Sequence, residues 1–296
     1  MKLWYLYLLT KKTSFCCFCP YLWFVFVSLH VRNTILLMKK YILDLRVTEN
    51  IWLSGDCFLL KLTSEHRLPD MQPGQFVEIR VDGSPGVFLR RPVSINFVDR
   101  DRNELWLLVQ QVGEGTRRMA TYRIGEKVNL LMPLGNGFTI PGESVGARLL
   151  LIGGGVGEAP LLYLGDELKR AGFDPVFLLG VRRKGDLMQL SDFQQRGIVY
   201  LISEDGSIGE KGYVTDHSVL QHEQFDRMYA CGPKPMMVAV ARYAVSNGIS
   251  CEVSLENTMA CGIGACLCCV EQTTEGHKCV CTEGPVFNIN QLTWLS

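Results

Sequence analysis

The sequence predicts a multidomain β plus α/β fold, with an antiparallel six-stranded barrel, a parallel-sheet α/β domain and a small cysteine-rich C-terminal domain. Three observations support this fold class. Short alternating apolar runs separated by turns continue to about Met132, which is typical of an antiparallel barrel. From Arg148 onward, continuous apolar runs alternate with helical periods, which favours a parallel sheet with helical crossovers. Near the end, six of the twelve cysteines fall between Cys261 and Cys281.

Two changes of pattern set the expected domain boundaries. A loop rich in Gly and Pro over Pro133–Gly142 separates the barrel from the sheet, and the cysteine-rich segment begins at about Ser250. The expected domains are therefore residues 38–142, 143–248 and 249–296. The 296 residues carry zero formal charge and no block of like charge, so nothing indicates a nucleic-acid partner.

Residues 1–37 differ from the rest of the chain. They contain an apolar run from Phe15 to Val31 that is interrupted by Pro20, and Met38 follows as a plausible translation start. We therefore expect residues 1–37 to be an N-terminal apolar extension outside the functional fold. The alternative is a signal anchor, since roughly 18–20 apolar residues can span a membrane.

The individual elements follow from the local pattern. Barrel strands are expected as two strands within Tyr41–Leu62, one at Gln75–Val81, and one each at Phe88–Val98, Leu105–Val112 and Lys127–Met132. One short helix is expected over Gly115–Tyr122. Sheet strands are expected at Leu149–Ile152, Pro175–Leu179, Val199–Ile202 and Arg227–Ala230, with a helix after the first of them ending at Gly172.

The cysteine-rich segment has the spacing of a metal-cluster loop. Cys261, Cys266 and Cys269 form C-x4-C-x2-C, the opening of a plant-type [2Fe-2S] loop. Gly262 and Gly264 would let the backbone curl so that N–H groups point at sulfur. Spacing alone leaves the fourth thiolate open between Cys279 and Cys281. The histidines show no ligand pattern.

Two motifs in the α/β half indicate a nicotinamide nucleotide. Residues Gly153-Gly154-Gly155-Val156-Gly157 form a glycine turn from a strand into a helix, which brings N–H groups to a diphosphate. Cys231-Gly232-Pro233 ends the last of the four strands, at the sheet edge where such folds bind ligands. Each motif has a purely structural alternative, a tight turn or a closed strand end. Their order within one sheet favours the nucleotide.

Two motifs in the barrel indicate a diphosphate-linked flavin. Arg90-Arg91-Pro92-Val93-Ser94 places cations in a strand that otherwise alternates, and Gly115-Thr116 lies at the start of the only helix expected there. A solvated edge charge is the ordinary alternative for such arginines. Two phosphate-binding elements on one barrel favour FAD.

These motifs together resemble the ferredoxin reductase superfamily of flavoproteins, and within it the electron-transfer subunits of NAD-dependent dihydroorotate dehydrogenase B. The resemblance rests on Leu89–Ile95, the run Glu204–Ser207 with Lys211–Asp216, Met259–Cys266 and Cys281–Phe287. It implies FAD contacts at Arg91, Pro92, Val93, Ser94, Leu108, Val109, Gln110, Gly115 and Thr116. It implies cluster ligands Cys261, Cys266, Cys269 and Cys281, and places Cys231 near the nicotinamide. Cys268 and Cys279 remain surplus thiols.

The resemblance also implies an activity. A separate subunit would oxidise dihydroorotate with FMN, and electrons would pass through the [2Fe-2S] cluster and FAD of this chain to NAD⁺ in pyrimidine (UMP) biosynthesis. Two copies of each subunit would form a cytoplasmic heterotetramer. The preference for NAD over NADP rests on the resemblance, because Arg182 and Arg183 leave a 2′-phosphate site open.

Two alternatives to this activity remain at the level of sequence. The first is a reductase subunit of a sulfhydrogenase, sulfite reductase or transhydrogenase complex, which would share the cofactors but differ in its partner. The second is a zinc-stabilised binding module held by Cys266, Cys269, Cys279 and Cys281. The zinc module leaves both motifs of the α/β half unexplained.

Overall fold

The computed structural model describes residues 39–142 and 146–295, so the expected extension over residues 1–37 lies outside the described residues. The chain from Lys40 to Ser296 forms one compact unit. All of the features below belong to this unit.

Six antiparallel strands and one short helix form the first half. The strands are β1 (Tyr41–Trp52), β2 (Cys57–Thr63), β3 (Phe76–Ile79), β4 (Arg91–Asp99), β5 (Glu104–Gln110) and β6 (Lys127–Leu134), and helix α1 spans Glu114–Met119 between β5 and β6. The strands close into a barrel in the order β1-β2-β5-β4-β3-β6. Alternate side chains such as Leu60, Leu62 and Ile95 are fully buried in the interior. The predicted six-stranded barrel is confirmed.

A second sheet forms the other half. Its strands are β7 (Leu149–Gly154), β8 (Val176–Val181), β9 (Ile198–Ser203), β10 (Glu210–Lys211), β11 (Arg227–Cys231) and β12 (Ser250–Ser254); β13 (Val270–Thr273) and β14 (Gly276–Cys279) form a separate hairpin, and β15 (Val286–Asn288) returns to the sheet. The order is β10-β9-β8-β7-β11-β12-β15, and only β15 pairs antiparallel. The helices are α2 (Ala159–Arg170), α3 (Leu190–Gln194), α4 (Val219–His222), α5 (Lys234–Ser246) and α6 (Val280–Glu283). The predicted parallel α/β sheet is confirmed.

Strands β12 and β15 come from the segment expected to form the cysteine-rich domain. Strand β12 pairs in parallel with β11 along its whole length, from Ser250 opposite Arg227 to Ser254 opposite Cys231. The expected boundary at 248/249 therefore lies between two neighbouring strands of one sheet. The cysteine-rich loops lie in the chain between β12 and β15, so both of their ends are fixed by strands of this sheet.

Helix α2 and the barrel share a buried layer. Leu108 of the barrel packs with Cys57, Ala159 and Met188. The buried amide of Asn96 on β4 donates to the carbonyl of Ala159 at 3.0 Å. This contact positions the barrel beside the first turn of α2, so a cleft opens between the barrel and the carboxyl ends of the sheet strands.

Candidate functional site

A cavity of about 630 Å³ lies in this cleft. Its volume falls in the range of sites that take a cofactor-sized ligand. The barrel contributes Asp56, Cys57 and Gln110 to its lining, and the sheet contributes the turn after β7 together with Pro233. This is the sheet edge at which open α/β folds bind ligands.

The glycine turn lies close to the loop that follows β11. A Cβ atom added at Gly157 would collide with the backbone of Gly232, and one added at Gly154 would collide with the sulfur of Met236. Gly155 has φ +54° and no heavy atom near the position of an added Cβ, so its outer side is open. The sequence requires glycine here because two backbone segments approach each other.

The structure brings most of the predicted nucleotide residues to the cavity and places the others behind it. The turn from Gly154 to Gly157 and Pro233 line the cavity, whereas Gly153, Cys231 and Gly232 are buried and are not among its lining residues. The residues Gly154–Gly157, which are predicted to contact the nucleotide, therefore border a cavity that could hold it. Gly153, Cys231 and Gly232 support the surrounding backbone.

Cys231 has one polar neighbour that the sequence did not indicate. Its sulfur lies 3.9 Å from a carboxylate oxygen of Glu256, which lines the cavity. Burial raises the pKa of the Cys231 thiol well above its usual value, and burial also raises the pKa of Glu256. Glu256 was missed because 25 residues separate it from Cys231 and no motif includes it.

The two barrel motifs predicted to bind flavin converge. A Cβ atom added at Gly115 would lie 2.9 Å from Nε of Arg91, so the Arg91 side chain crosses the first turn of α1. Nη1 of Arg91 donates to the carbonyl of Leu89 at 2.7 Å. The hydroxyl of Thr116 accepts the N–H groups of Val112 and Gly113 at 2.9 and 3.0 Å, which fixes the start of α1. A guanidinium and a helix start therefore face the same space.

The neighbouring Arg90 has a different environment. Its guanidinium donates to the Glu78 carbonyl at 3.1 Å and to the Asn129 side chain. Arg90 therefore braces the barrel strands, and Arg91 is the arginine available beside α1. The strand pattern did not distinguish the two arginines, whereas the resemblance implied an FAD contact at Arg91.

Residues 108–110, which are predicted to contact flavin, have different environments. The side chains of Leu108 and Val109 are buried. Nε2 of Gln110 donates to Asp56 at 2.8 Å, and both residues line the cleft cavity. The hydrogen bond from Gln110 lowers the pKa of Asp56. Desolvation acts in the opposite direction, but its effect is smaller. Gln110, which is predicted to contact flavin, therefore also lines the nucleotide cleft.

The loop before β13 and helix α6 place three cysteine sulfurs beside backbone N–H groups. The sulfur of Cys281 accepts the N–H of Gly264 at 3.2 Å, the sulfur of Cys269 accepts the N–H of Cys281 at 3.4 Å, and the N–H of Ile263 reaches the sulfur of Cys261 at 3.5 Å. Gly262 and Gly264 have φ values of +66° and +80°, the left-handed conformation predicted for the curl.

The pKa values of two of these thiols are shifted in opposite directions. Burial acts to raise the pKa of Cys261, but N–H groups of Ile263 and Cys266 outweigh it and the pKa falls to about 6. Burial, followed by a hydrogen bond with Cys269, raises the pKa of Cys281 to about 12. The same N–H groups that favour a thiolate at Cys261 suit the sulfurs of an iron–sulfur cluster.

The two candidates for the fourth ligand differ in their contacts. Cys281 lies in α6 and contacts Cys269 and Gly264, whereas the N–H of Cys279 is held by the Glu283 carboxylate at 2.8 Å at the start of α6. Cys268 is exposed. The contacts of the Cys281 sulfur favour Cys281 as the fourth ligand, and the set of Cys261, Cys266, Cys269 and Cys281 stays a prediction.

A buried carboxyl group lies under the cysteine loop. Glu78 on β3 is fully buried, and its side chain contacts the position that a Cβ at Gly262 would occupy. Neither of its carboxyl oxygens has a hydrogen-bond partner among the described residues. Burial raises its pKa to about 7. The cysteine loop thus rests on a barrel strand that pairs with the β4 motif.

Two kinds of feature are absent from residues 39–142 and 146–295. In that part of the chain, no group of three or more His, Cys, Asp or Glu side chains is arranged around a single metal ion. In the same residues, no helix is long and apolar enough to cross a membrane.

Comparison with protein families gives one match at the cysteine segment. The model of the iron–sulfur cluster binding domain of dihydroorotate dehydrogenase B matches residues 256–293. This range contains all six clustered cysteines and Glu256.

Curated relatives cover most of the chain. The dihydroorotate dehydrogenase B (NAD(+)) electron transfer subunit of Shouchella clausii is 37% identical over 86% of this chain and 99% of its own length. Proteins of the same name from Fusobacterium nucleatum and Lysinibacillus sphaericus are 36% and 38% identical over 82% of this chain and 95% of theirs.

Solved structures share the fold. A chain of the NADH-dependent reduced ferredoxin–NADP oxidoreductase, described in relation to flavin-based electron bifurcation, superposes with a TM-score of 0.76 at 28% identity, covering 84% of this chain and 90% of that one. The FAD/NAD-binding domain of nitric oxide dioxygenase from Vibrio cholerae superposes with a TM-score of 0.59 at 20% identity, covering 71% and 97%. The second likeness concerns the fold alone.

Proposed function

Since this chain belongs to the family of dihydroorotate dehydrogenase B electron transfer subunits, we propose that it carries electrons from a separate dihydroorotate-oxidising subunit to NAD⁺ by way of an iron–sulfur cluster and FAD. The observation that carries the proposal is the joining, in one compact unit, of a thiol cluster, a barrel with an arginine at a helix start, and a nucleotide-sized cleft. It is thus an oxidoreductase subunit, and dihydroorotate chemistry belongs to its partner.

We propose a [2Fe-2S] cluster held by Cys261, Cys266, Cys269 and Cys281. The C-x4-C-x2-C spacing with a distant fourth cysteine is that of plant-type clusters. The N–H groups directed at sulfur on Cys261 and Cys281 fit such a group, because they stabilise the negative charge of the thiolates.

We propose that FAD binds at the β4 motif and α1. Arg91 supplies the positive charge for its diphosphate, and Pro92, Val93 and Ser94 follow on the same strand, facing β3. The N–H groups of Gly115 and Thr116 at the start of α1 supply further donors. Leu108, Val109 and Gln110 on β5 complete the proposed contact set. The hydrogen bonds of the half-buried Arg90 to Glu78 and Asn129 hold this strand in place.

Each bound group supplies a different part of the chemistry: nicotinamide exchanges two electrons as hydride, the cluster exchanges one, and flavin does both. The chain's own residues bind and orient these groups. The glycine turn offers N–H groups to the NAD⁺ diphosphate, and Gly232 and Pro233 shape the adjoining wall. Cys231 is the last residue of β11, and its neighbour Glu256 lines the cavity beside Pro233.

We propose an FMN-containing catalytic subunit as the partner, in a cytoplasmic assembly of two plus two. The name of the curated relatives, as one subunit of a dihydroorotate dehydrogenase, supports a second subunit. Exposed Ile263 and Leu267 in the cysteine loop give this part of the surface an apolar character suited to a partner.

The test is reconstitution with the catalytic subunit. The chain loaded with iron, sulfide and flavin is mixed with that subunit, dihydroorotate and NAD⁺, and NADH formation is followed at 340 nm. Turnover that requires both subunits supports the proposal. No NADH formation from fully loaded proteins would overturn it, and NADH formation with reduced ferredoxin instead of dihydroorotate would favour a different electron donor.

A further inference from the structure

We propose that Asn96 and Gln189 are positioning residues that set the approach of the nicotinamide to the flavin for hydride transfer. The inference rests on the proposed function, because it concerns the two cofactor sites that meet at the cleft. It assigns a role in the reaction to two side chains that belong to neither of the predicted binding motifs.

The two side chains form a buried pair of amides at the junction of the barrel and the sheet. Nδ2 of Asn96 donates to the side-chain carbonyl of Gln189 at 3.1 Å, and Nε2 of Gln189 donates back to the side-chain carbonyl of Asn96 at 3.1 Å. Nδ2 of Asn96 also donates to the backbone carbonyl of Ala159 at 3.0 Å. Because that carbonyl can only accept, it fixes which way the Asn96 amide points. The amide pair therefore has a single arrangement of donors and acceptors.

Both residues of the amide pair lie in irregular backbone. Asn96 is the extra residue of a β-bulge on β4, between the residues that pair with Leu107 and Trp106 of β5. A bulge changes the direction in which a side chain points. Gln189 directly precedes α3 and has φ +47°, a conformation that residues with a side chain rarely adopt. Such backbone persists only where the surrounding contacts hold it, and it is common at functional sites.

The amide pair is close to both cofactor sites along the chain. Asn96 follows the proposed flavin contact Ser94 by two residues on β4, and Ala159 follows Gly157 of the glycine turn by two residues. Met188, next to the second amide, lines the cleft cavity. The hydrogen bond from Asn96 to Ala159 therefore joins the strand proposed to hold the flavin to the turn proposed to hold the nucleotide.

Two further polar contacts join the later turns of α2 to the barrel. The Tyr163 hydroxyl donates to the Met71 carbonyl at 2.8 Å, and Nη1 of Arg100 lies 2.8 Å from the Glu167 carboxylate. Tyr163 and Glu167 come about one and two helical turns after Ala159. None of these four residues lines the cavity. These contacts attach the helix to the barrel, whereas the amide pair does so beside the cofactor sites.

Hydride transfer depends steeply on the distance between donor and acceptor. NADH gives up a hydride, which is one proton with two electrons, and FAD takes it, so NADH + FAD yields NAD⁺ + FADH⁻. A misplacement of about 1 Å can cost about 100-fold in rate. A buried polar network with all of its bonds made holds two packed parts in one arrangement. The amide pair thus supplies the fixed geometry that this step requires.

The test follows flavin reduction by NADH in single turnovers of the cofactor-loaded chain, with the NADH concentration varied to separate binding from the saturating rate. Asn96→Ala should lower the saturating rate at least about tenfold and leave the apparent dissociation constant of NADH within about threefold. It should also weaken the long-wavelength charge-transfer absorbance of the flavin–nicotinamide complex, which reports ring contact without turnover. Gln189→Ala should act in the same way. The double variant should be no slower than the slower single variant, because the pair acts as a unit.

The matched control is Tyr163→Phe, which removes a buried hydrogen bond between α2 and the barrel. Its resistance to urea should fall, as that of Asn96→Ala does, but its saturating rate should stay within about twofold of that of the unaltered chain. If Asn96→Ala does not take up flavin, Gln189→Ala decides, because it keeps the bond from Asn96 to Ala159.

Two results would overturn the inference. One is an unchanged saturating rate and charge-transfer absorbance in Gln189→Ala and in any loaded Asn96→Ala. The other is a Tyr163→Phe variant that slows as much as the amide variants, since loosening of the whole interface would then explain the effect. Failure of the unaltered, fully loaded chain to accept hydride from NADH would instead overturn the proposed function.

Discussion

Replacing Glu158 should change the pH dependence of stability. Its carboxyl group is fully buried directly after the glycine turn, and neither oxygen has a hydrogen-bond partner among the described residues. Burial raises its pKa well above the ordinary value of 4.5. Below that ordinary value the group is protonated in the folded and unfolded chain alike, so its full contribution to stability is present.

As pH rises from 4.5 toward the folded-state pKa, the unfolded chain releases the proton and the folded chain keeps it. The free energy of unfolding then falls by about 1.4 kcal/mol for each pH unit in this window. Glu158→Gln removes the titration. Between pH 5 and pH 6, the stability of the variant relative to the unaltered chain should therefore rise by about 1.4 kcal/mol.

The assay is urea unfolding of the cofactor-loaded proteins at several pH values, followed by far-ultraviolet circular dichroism. Glu65→Gln is the control, because the Glu65 side chain is 82% exposed. Its stability should follow that of the unaltered chain across the pH range. If the curve for Glu158→Gln ran parallel to that of the unaltered chain, the argument for a buried neutral carboxyl group would be refuted.

Two further predictions concern the binding motifs. Gly157→Ala should raise the KM for NADH at least about fivefold without loss of flavin, because the added Cβ displaces the Gly232 backbone; Gly142→Ala, which adds a Cβ in open space, is its control in steady-state kinetics. Arg91→Ala should weaken FAD binding at least about tenfold, since a charge-assisted hydrogen bond contributes about 1.5–3 kcal/mol. Equilibrium dialysis measures this, and unchanged FAD affinity would remove Arg91 from the site.

Much of the fold could be predicted because its signals are local. Alternation and turn residues define the barrel strands, and the continuous apolar run Leu149–Ile152 with its glycine turn defines the start of the sheet. The curl of the cysteine loop could also be predicted, because glycine adopts positive φ values readily and Gly262 and Gly264 stand where the loop needs them.

The parts that could not be predicted depend on contacts between distant residues. Arg90 and Arg91 are adjacent, but their side chains point in different directions, one to Asn129 and the other across the first turn of α1. Glu256 meets Cys231 only because β12 pairs with β11. No periodicity or spacing encodes such neighbours, which follow from how the strands are paired.

The most direct test of the central claim is anaerobic reduction of the loaded chain by NADH, with the flavin followed by absorbance and the cluster by electron paramagnetic resonance. The unaltered chain should show loss of flavin absorbance together with the signal of a reduced [2Fe-2S] cluster. Cys281→Ser should keep the flavin change and lose the cluster signal, and Cys279→Ser should keep both. Flavin reduction without any cluster signal in the unaltered, iron-loaded chain would contradict an electron path that joins the cleft to the cysteine loop.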